Sequence, residues 1–186
     1  MKPATRLIHA GEPIDPGATP PLTVPIYETS TFVFHSAADV VRYQEGGLNG
    51  YLYSRYENPT VVSVERQLAA VDGAEASLLF SSGMAAISTA LLTTLQRGDE
   101  VLCAASIYGG TFHIIADLLP RFGITHRFIS LEDLADPARV IGPKTKLLWF
   151  ESPINPTLRC VDVRTVATAC RRAGILSVID NTLPAR

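Results

Sequence analysis

The sequence predicts an α/β fold in which a mostly parallel sheet is covered by helices on both faces and preceded by an extended N-terminal arm. Two observations carry this. Beyond about residue 57, short apolar runs of strand length alternate with longer segments of helical period. Before it, Pro3, Pro13, Pro16, Pro20, Pro21 and Pro25 stand among many Gly, Thr and Ser, with only short apolar stretches such as STFVF. That first segment cannot build a core of its own, so residues 1–57 are expected to form an arm lying on another surface. Residues 58–186 are expected to form the globular part.

The elements follow in order. NPTVVSVERQLAAVDG offers Asn58 as N-cap, Pro59 at the first helical position, an apolar face of Val62, Val64, Leu68 and Val71, and Gly73 as the stop, which predicts a helix over 59–72. ASLLFS (76–81), EVLCAA (100–105), THRFIS (125–130), KLLWFE (146–151) and ILSVID (175–180) have the length and the β-branched or aromatic content of strands. Between several of them lie GMAAISTALLTTLQ, TFHIIADLLPRF and VRTVATACRRAG, each helical in period. This alternation requires crossover connections, hence parallel strands buried on both faces.

Composition narrows the function classes. A chain of 186 residues with 47% hydrophobic content is long enough for one sizeable core. The formal net charge of -2 is spread without acidic or basic blocks, which argues against nucleic acid and against an anionic membrane surface as partner. No segment approaches the ~20 apolar residues of a membrane span, and the start, MKPATRLIHAGEPID, lacks an apolar signal core. A cytoplasmic protein acting on a small molecule is expected. Cys103, Cys160 and Cys170 have no CxxC spacing and read as reduced structural thiols, and no metal site is expected.

Ligands of such folds gather beyond the carboxyl ends of the strands. After ASLLF come Ser81, Ser82 and Gly83, opening a helix whose first N–H groups, with a Ser hydroxyl, suit a phosphate; Ser is also an ordinary N-cap and Gly an ordinary turn residue. After EVLCAAS comes Tyr108 ahead of two glycines, an aromatic ring able to cover a planar ligand or simply to sit half-buried. After KLLWFE, Asn155 sits between Pro153 and Pro156, an amide on a rigid turn. After ILSVI comes Asp180, and a carboxylate at the end of an apolar approach calls for a partner. A phosphate cup, an aromatic cover, an amide and a partly buried anion together describe pyridoxal phosphate, with Asp180 keeping the ring nitrogen protonated. The GxGxxG of a nicotinamide site does not occur after the first strand.

YSRYENPT (53–60), SSGMAAI (81–87), IYGGTF (107–112), ESPINPTL (151–158) and VIDNT (178–182) resemble, in order and spacing, the signatures of the Cys/Met-metabolism pyridoxal-phosphate enzymes. That family includes cystathionine gamma-synthase, cystathionine gamma- and beta-lyases, methionine gamma-lyase and the O-acyl-homoserine sulfhydrylases. The resemblance implies the three-layer large domain of the aspartate aminotransferase-like PLP-dependent transferases (fold type I). It also implies phosphate binding by Ser82, Gly83 and Met84, ring stacking and proton shuttling by Tyr108, a ring contact from Asn155, and Asp180 on the ring nitrogen. Tyr53 and Arg55 would reach the phosphate of a neighbouring subunit in a homo-oligomer, a dimer of dimers in the intact family. The substrates implied are small amino acids of sulfur metabolism, undergoing β- or γ-elimination or γ-replacement, with the γ-type branch favoured.

The departure from the family is at the end of the chain. The Schiff-base lysine of the family lies beyond the Asp-Asn-Thr signature, and only Lys2, Lys144 and Lys146 are present here. Lys146 begins its strand, about 15 Å from the carboxyl end where the site is expected, and Lys144 is farther still. PAR after VIDNTL also differs from the family's usual continuation. These features read as a truncated gene product or a piece of a longer chain, without the C-terminal domain and with an unpaired sheet edge at ILSVID. Two function classes then compete: part of a trans-sulfuration enzyme, or a catalytically dead chain that binds the cofactor weakly or pairs with a full-length relative.

Overall fold

The computed structural model describes residues 22–183, together with Lys2, Thr5 and Ala10. The rest of residues 1–21, the first part of the expected arm, and the final PAR lie outside the described residues. The chain divides into two compact units, residues 1–79 and 80–186.

The first unit holds two helices, α1 (Ala37–Gln44) and α2 (Pro59–Asp72). The sequence led us to expect an extended arm throughout residues 1–57, and α1 corrects this. Ser36 is the reason: its hydroxyl accepts the Asp39 N–H at 3.1 Å and contacts the Asp39 carboxylate at 2.9 Å, while Arg42 lies 3.3 Å from the same side chain. A polar first turn of this kind sustains a short helix without a long apolar stripe. The rest of the described arm is irregular, with one antiparallel bridge between Thr31 and Tyr53.

Helix α2 has the predicted bounds. Asn58 caps it, accepting the Thr60 N–H at 2.9 Å, and Gly73 closes it at φ 67°, a left-handed conformation that costs glycine nothing. The Asn58 amide also donates to the Tyr27 carbonyl and to the Ser54 hydroxyl, both at 2.9 Å, and the Thr60 hydroxyl donates to the Pro25 carbonyl and accepts from the Tyr27 N–H. These bonds tie α2 to the segment before it. The structural division accordingly falls after Leu79 and not at residue 57.

The strand expected over 76–81 does not form. The stretch is held to α2 by Glu65, whose carboxylate accepts the Leu79 N–H at 2.8 Å and whose carbonyl accepts the Ser77 hydroxyl at 2.7 Å. A strand needs a ladder partner, and among the described residues none pairs with it, so its apolar side chains stand in solvent, Leu78 at 73% exposure.

The second unit is the predicted alternation. Its elements are α3 (Gly83–Thr94), β1 (Glu100–Ala104), α4 (Gly109–His113), β2 (Thr125–Ile129), β3 (Thr145–Glu151), α5 (Val163–Ala173) and β4 (Leu176–Asp180). The strands form one parallel sheet in the order β2-β1-β3-β4. Alternate residues serve opposite faces. Val101, Cys103, Leu147 and Trp149 pack with Leu91 of α3, with Leu95 just after it, and with Ile115 and Leu119. Leu102, Ala104, Leu148 and Phe150 pack with Leu134 and with Val166 and Cys170 of α5. The helix expected over 111–122 is broken into α4, a π turn (Ile114–Leu118) and a 3-10 turn (Leu119–Phe122); Pro120 removes an N–H donor there, and Gly123 turns the chain away at φ 74°. Of the three free cysteines, Cys103 and Cys170 are buried and Cys160 is exposed. Among the described residues no helix is long and apolar enough to cross a membrane.

The amino end of the sheet is clamped by charge. Glu100 accepts from Arg127 Nε at 2.8 Å and Nη2 at 2.9 Å and from the Thr145 hydroxyl at 2.7 Å, linking β1 to both neighbours. The Arg127 bonds are the main reason its carboxyl titrates below the usual glutamate value. A lowered carboxyl adds stability above its unfolded value and loses it as pH falls through the folded one. Glu100→Gln should therefore lower the unfolding free energy by about 1 kcal/mol at neutral pH, a figure discounted because the guanidinium is partly in water. The difference should vanish in acid, as measured by urea denaturation across pH. In the first unit, Asn58→Asp keeps the cap but loses the amide donor, so thermal melts should rank wild type above Asn58→Asp above Asn58→Ala, the last losing about 2 kcal/mol.

Candidate functional site

Parallel pairing places the carboxyl ends of β1, β3 and β4 on one edge of the sheet, and the start of α3 borders the same edge. Four segments meet there.

At the start of α3, Ser82 is extended (φ -159°, ψ 158°) and its hydroxyl oxygen accepts the Ala85 N–H at 3.1 Å, while the Ser82 carbonyl accepts the Ala86 N–H at 3.1 Å. The N–H groups of Gly83 and Met84 remain as the unspent donors of the first turn. A Cβ on Gly83 would meet nothing within 4 Å, so the backbone there faces open space that any other residue would partly fill. After β1, Tyr108 opens α4. Its ring sits close to the helix that follows: a Cβ on Gly110 would come within 2.6 Å of Tyr108 Cε1 and 2.7 Å of Met84 Sδ, so only glycine fits there without displacing one of them.

After β3 the loop 152–159 is pinned by its own backbone. The Ile154 N–H donates to the Arg159 carbonyl at 2.9 Å, the Leu158 N–H donates back to the Ile154 carbonyl at 2.7 Å, and the Ser152 hydroxyl accepts the Val161 N–H at 3.0 Å. Ile154 is buried, which leaves Asn155 outward. After β4, Asp180 is half-buried, and its Oδ1 accepts from the Thr182 N–H at 3.1 Å and hydroxyl at 2.6 Å, leaving Oδ2 uncommitted by these bonds.

These residues line a single cleft of about 440 Å³. Ser82, Gly83, Met84, Tyr108, Asn155 and Asp180, each singled out from the sequence, all contribute to its wall. Tyr53 and Arg55 belong to the first unit, where the guanidinium lies 4.7 Å from the Tyr53 ring centre and 5.6 Å from that of Tyr56. No lysine is among the cleft residues; Lys146 stands at the amino end of β3 and Lys144 just before it. A larger and more open groove of about 750 Å³ lies between 135–141 and α5, but Ala135, Pro137, Ala138, Ala169 and Ala173 make up much of its wall, and no set of reactive side chains converges there.

Among the lining residues that the sequence reading missed, Glu151 is the one with a titratable side chain. It ends β3, is 5% exposed, and stands opposite Asp180 in the β3–β4 register. Its Oε1 accepts the backbone N–H of Tyr108. Burial pushes its carboxyl above the usual glutamate value and the nearby Asp180 adds to this, while the N–H groups of Tyr108 and Asn155 partly offset both. The same burial, followed by the Glu151 charge, pushes the Cys103 thiol upward. The signal that marked Asp180, a carboxylate after four apolar residues, is present in LLWFE as well and would have found it.

The pattern of the family described as Cys/Met metabolism PLP-dependent enzyme matches residues 4–185. Cystathionine beta-lyase of Bacillus subtilis (strain 168) is 42% identical over 178 residues, 96% of this chain and 43% of its own length. L-methionine gamma-lyase of Pseudomonas putida is 38% identical over 180 residues, covering 96% of this chain and 45% of its own. The crystal structure of cystathionine gamma-lyase from Lactobacillus plantarum complexed with L-serine superposes with a TM-score of 0.84 at 37% identity, over 98% of this chain and 45% of that one. A Campylobacter jejuni structure that carries N'-pyridoxyl-lysine-5'-monophosphate gives a TM-score of 0.87 at 31% identity, over 98% and 44%. The chain thus spans less than half the length of these relatives. With its parallel α/β sheet and a match running through nearly all of its residues, it belongs to the Cys/Met-metabolism PLP-dependent enzymes, a trans-sulfuration family whose cofactor is pyridoxal phosphate.

Proposed function

We propose that this chain supplies the phosphate-binding and ring-binding walls of a pyridoxal phosphate site in a sulfur amino-acid enzyme. The observation that carries the reading is the convergence of Ser82, Gly83, Met84, Tyr108, Asn155 and Asp180 on one cleft. The chemistry of these residues fits the cofactor. The unspent N–H groups at Gly83 and Met84, the Ser82 hydroxyl proton and the open space over Gly83 suit a phosphate. The Tyr108 ring offers a stacking face, Asn155 an amide for a ring oxygen, and Asp180 an oxygen for a protonated ring nitrogen.

When bound, the cofactor supplies an electron sink for cleavage or replacement at the β- or γ-carbon of an amino acid. The chain's own residues orient it: Asp180 keeps the nitrogen charged, Tyr108 fixes the ring plane and is placed to carry a proton through its hydroxyl, and the Ser82–Met84 turn anchors the far end. Small cysteine- or homoserine-type substrates are proposed, with γ-chemistry favoured over β. Tyr53 and Arg55 are proposed to serve a neighbouring subunit's phosphate in a homo-oligomer, which would give the segment before α2 an inter-subunit role. A cytoplasmic location belongs to the same reading.

A second reading, that this chain alone binds the cofactor without covalent attachment and without turnover, is favoured by the lysine positions. Lys144 and Lys146 lie at the end of β3 remote from the cleft.

Two outcomes are expected. Pyridoxal phosphate titrated into the purified chain and followed by absorbance should bind, and Asp180→Asn should weaken that binding about tenfold through loss of the counter-charge; equal affinity would remove Asp180 from the ring. Borohydride treatment of the mixture followed by peptide mass mapping should leave Lys144 and Lys146 unlabelled. Stoichiometric label on either, accompanied by lyase turnover, would overturn the non-covalent reading.

A further inference from the structure

Glu151 is a buried carboxylate that, among the described residues, pairs with no cation. The titratable groups that act on it or that it acts on are Asp180 on β4, directly opposite in register, and Cys103 on β1, and neither carries positive charge. Placing an anion there is costly unless donors compensate it. Its compensation includes the backbone N–H of Tyr108, on the aromatic wall of the cleft.

Tyr108 needs such an anchor. It heads α4 with no side-chain cap bond, two glycines follow it, and its ring is 54% exposed. Glycine pairs leave the backbone many conformations. Beyond its own N–H, the backbone bond here is the Phe112 N–H to the Tyr108 carbonyl at 3.0 Å, which lies inside the helix and does not fix the helix against the sheet.

We propose that Glu151 is a positioning residue: by accepting the backbone N–H of Tyr108 from the end of β3, it sets the distance of the aromatic wall of the cleft from the sheet. The inference rests on the cofactor reading only for what the cleft holds, and the positioning itself is a property of the empty protein. A hydrogen bond to a charged acceptor is strong enough to hold a glycine-flanked segment in one place. The charge has a second effect in the same location, since two carboxylates facing each other across β3 and β4 favour a cationic group between them.

The experiment is amide exchange on the complete chain without ligand, read by nitrogen-15 NMR, for wild type, Glu151→Gln and Glu151→Ala. Glu151→Gln keeps an acceptor oxygen and removes the charge. In Glu151→Ala the Tyr108 amide should exchange about tenfold faster than in wild type, while Glu151→Gln should recover most of the protection. The wild-type Tyr108 amide shift should also titrate with a midpoint above the ordinary glutamate range, a titration absent from Glu151→Gln, in which Asp180, Cys103 and Tyr108 remain. Tyr108 protection in Glu151→Ala equal to wild type, or an amide titration unchanged in Glu151→Gln, would overturn the proposal. If Glu151→Ala does not fold, the Glu151→Gln titration decides alone. Pyridoxal phosphate added last should bind Glu151→Ala about tenfold more weakly than Glu151→Gln; failure of wild type to bind it at all, with the amide results as expected, would overturn the cofactor reading and leave Glu151 in its positioning role.

Discussion

The parallel pairing of β1, β3 and β4 is the constraint on which the rest of the cleft depends. Parallel strands bring like ends together, so each strand delivers its next few residues to the same edge. The register then fixes which residues meet: Cys103 stands beside Trp149, Trp149 beside Val178, and two residues later Glu151 stands beside Asp180. A slip of one residue on β3 would turn Glu151 toward another face and bury Lys146 among the leucines, so the two apolar faces police the register that the cleft requires. Packing in this unit and placement of the candidate site are one problem.

Much of that arrangement was legible in the sequence, and the reasons differ by element. Helix α2 was read to the residue because its ends are marked by local chemistry: Asn58 and Pro59 at the start, Gly73 at the stop. Four strands of the sheet were read from short apolar runs; the central β1 and β3 are buried on both faces and carry no alternation, while the outer β2 and β4 are partly exposed. The same rule misread 76–81, since an apolar run states what a segment would bury and says nothing of whether a ladder partner is at hand; Glu65 holds that stretch instead. Helix α1 escaped notice for the opposite reason, being specified by Ser36 and Asp39 and hardly at all by an apolar face. Pro120 was visible, yet the π turn ahead of it has no single-residue signature.

In the cleft, the residues found from sequence were those ending a strand, lying just past its end or opening a helix. Glu151, like Asp180, is the last residue of its strand, but was counted only as part of it. Its role became apparent only through a backbone amide 43 residues earlier in the chain, a pairing that depends on the β1–β3 register and on the turn that carries Tyr108 back over the sheet. No local pattern encodes that distance.

The two glutamates of the sheet make the difference between structural and functional charge concrete. Glu100, at the amino end, is matched by Arg127 and Thr145, its carboxyl is lowered, and it adds stability at neutral pH that acid removes. Glu151, at the carboxyl end, is matched by amides and faced by Asp180. Its carboxyl is raised, so the stability it contributes is full below the unfolded glutamate value and is lost as pH climbs through the folded one. At neutral pH the first supports the fold and the second opposes it. A sheet selected for stability alone would treat both ends like the first. An anion kept at a cost, opposite another anion, at the edge where the cleft opens, suits the cationic ring of the proposed site.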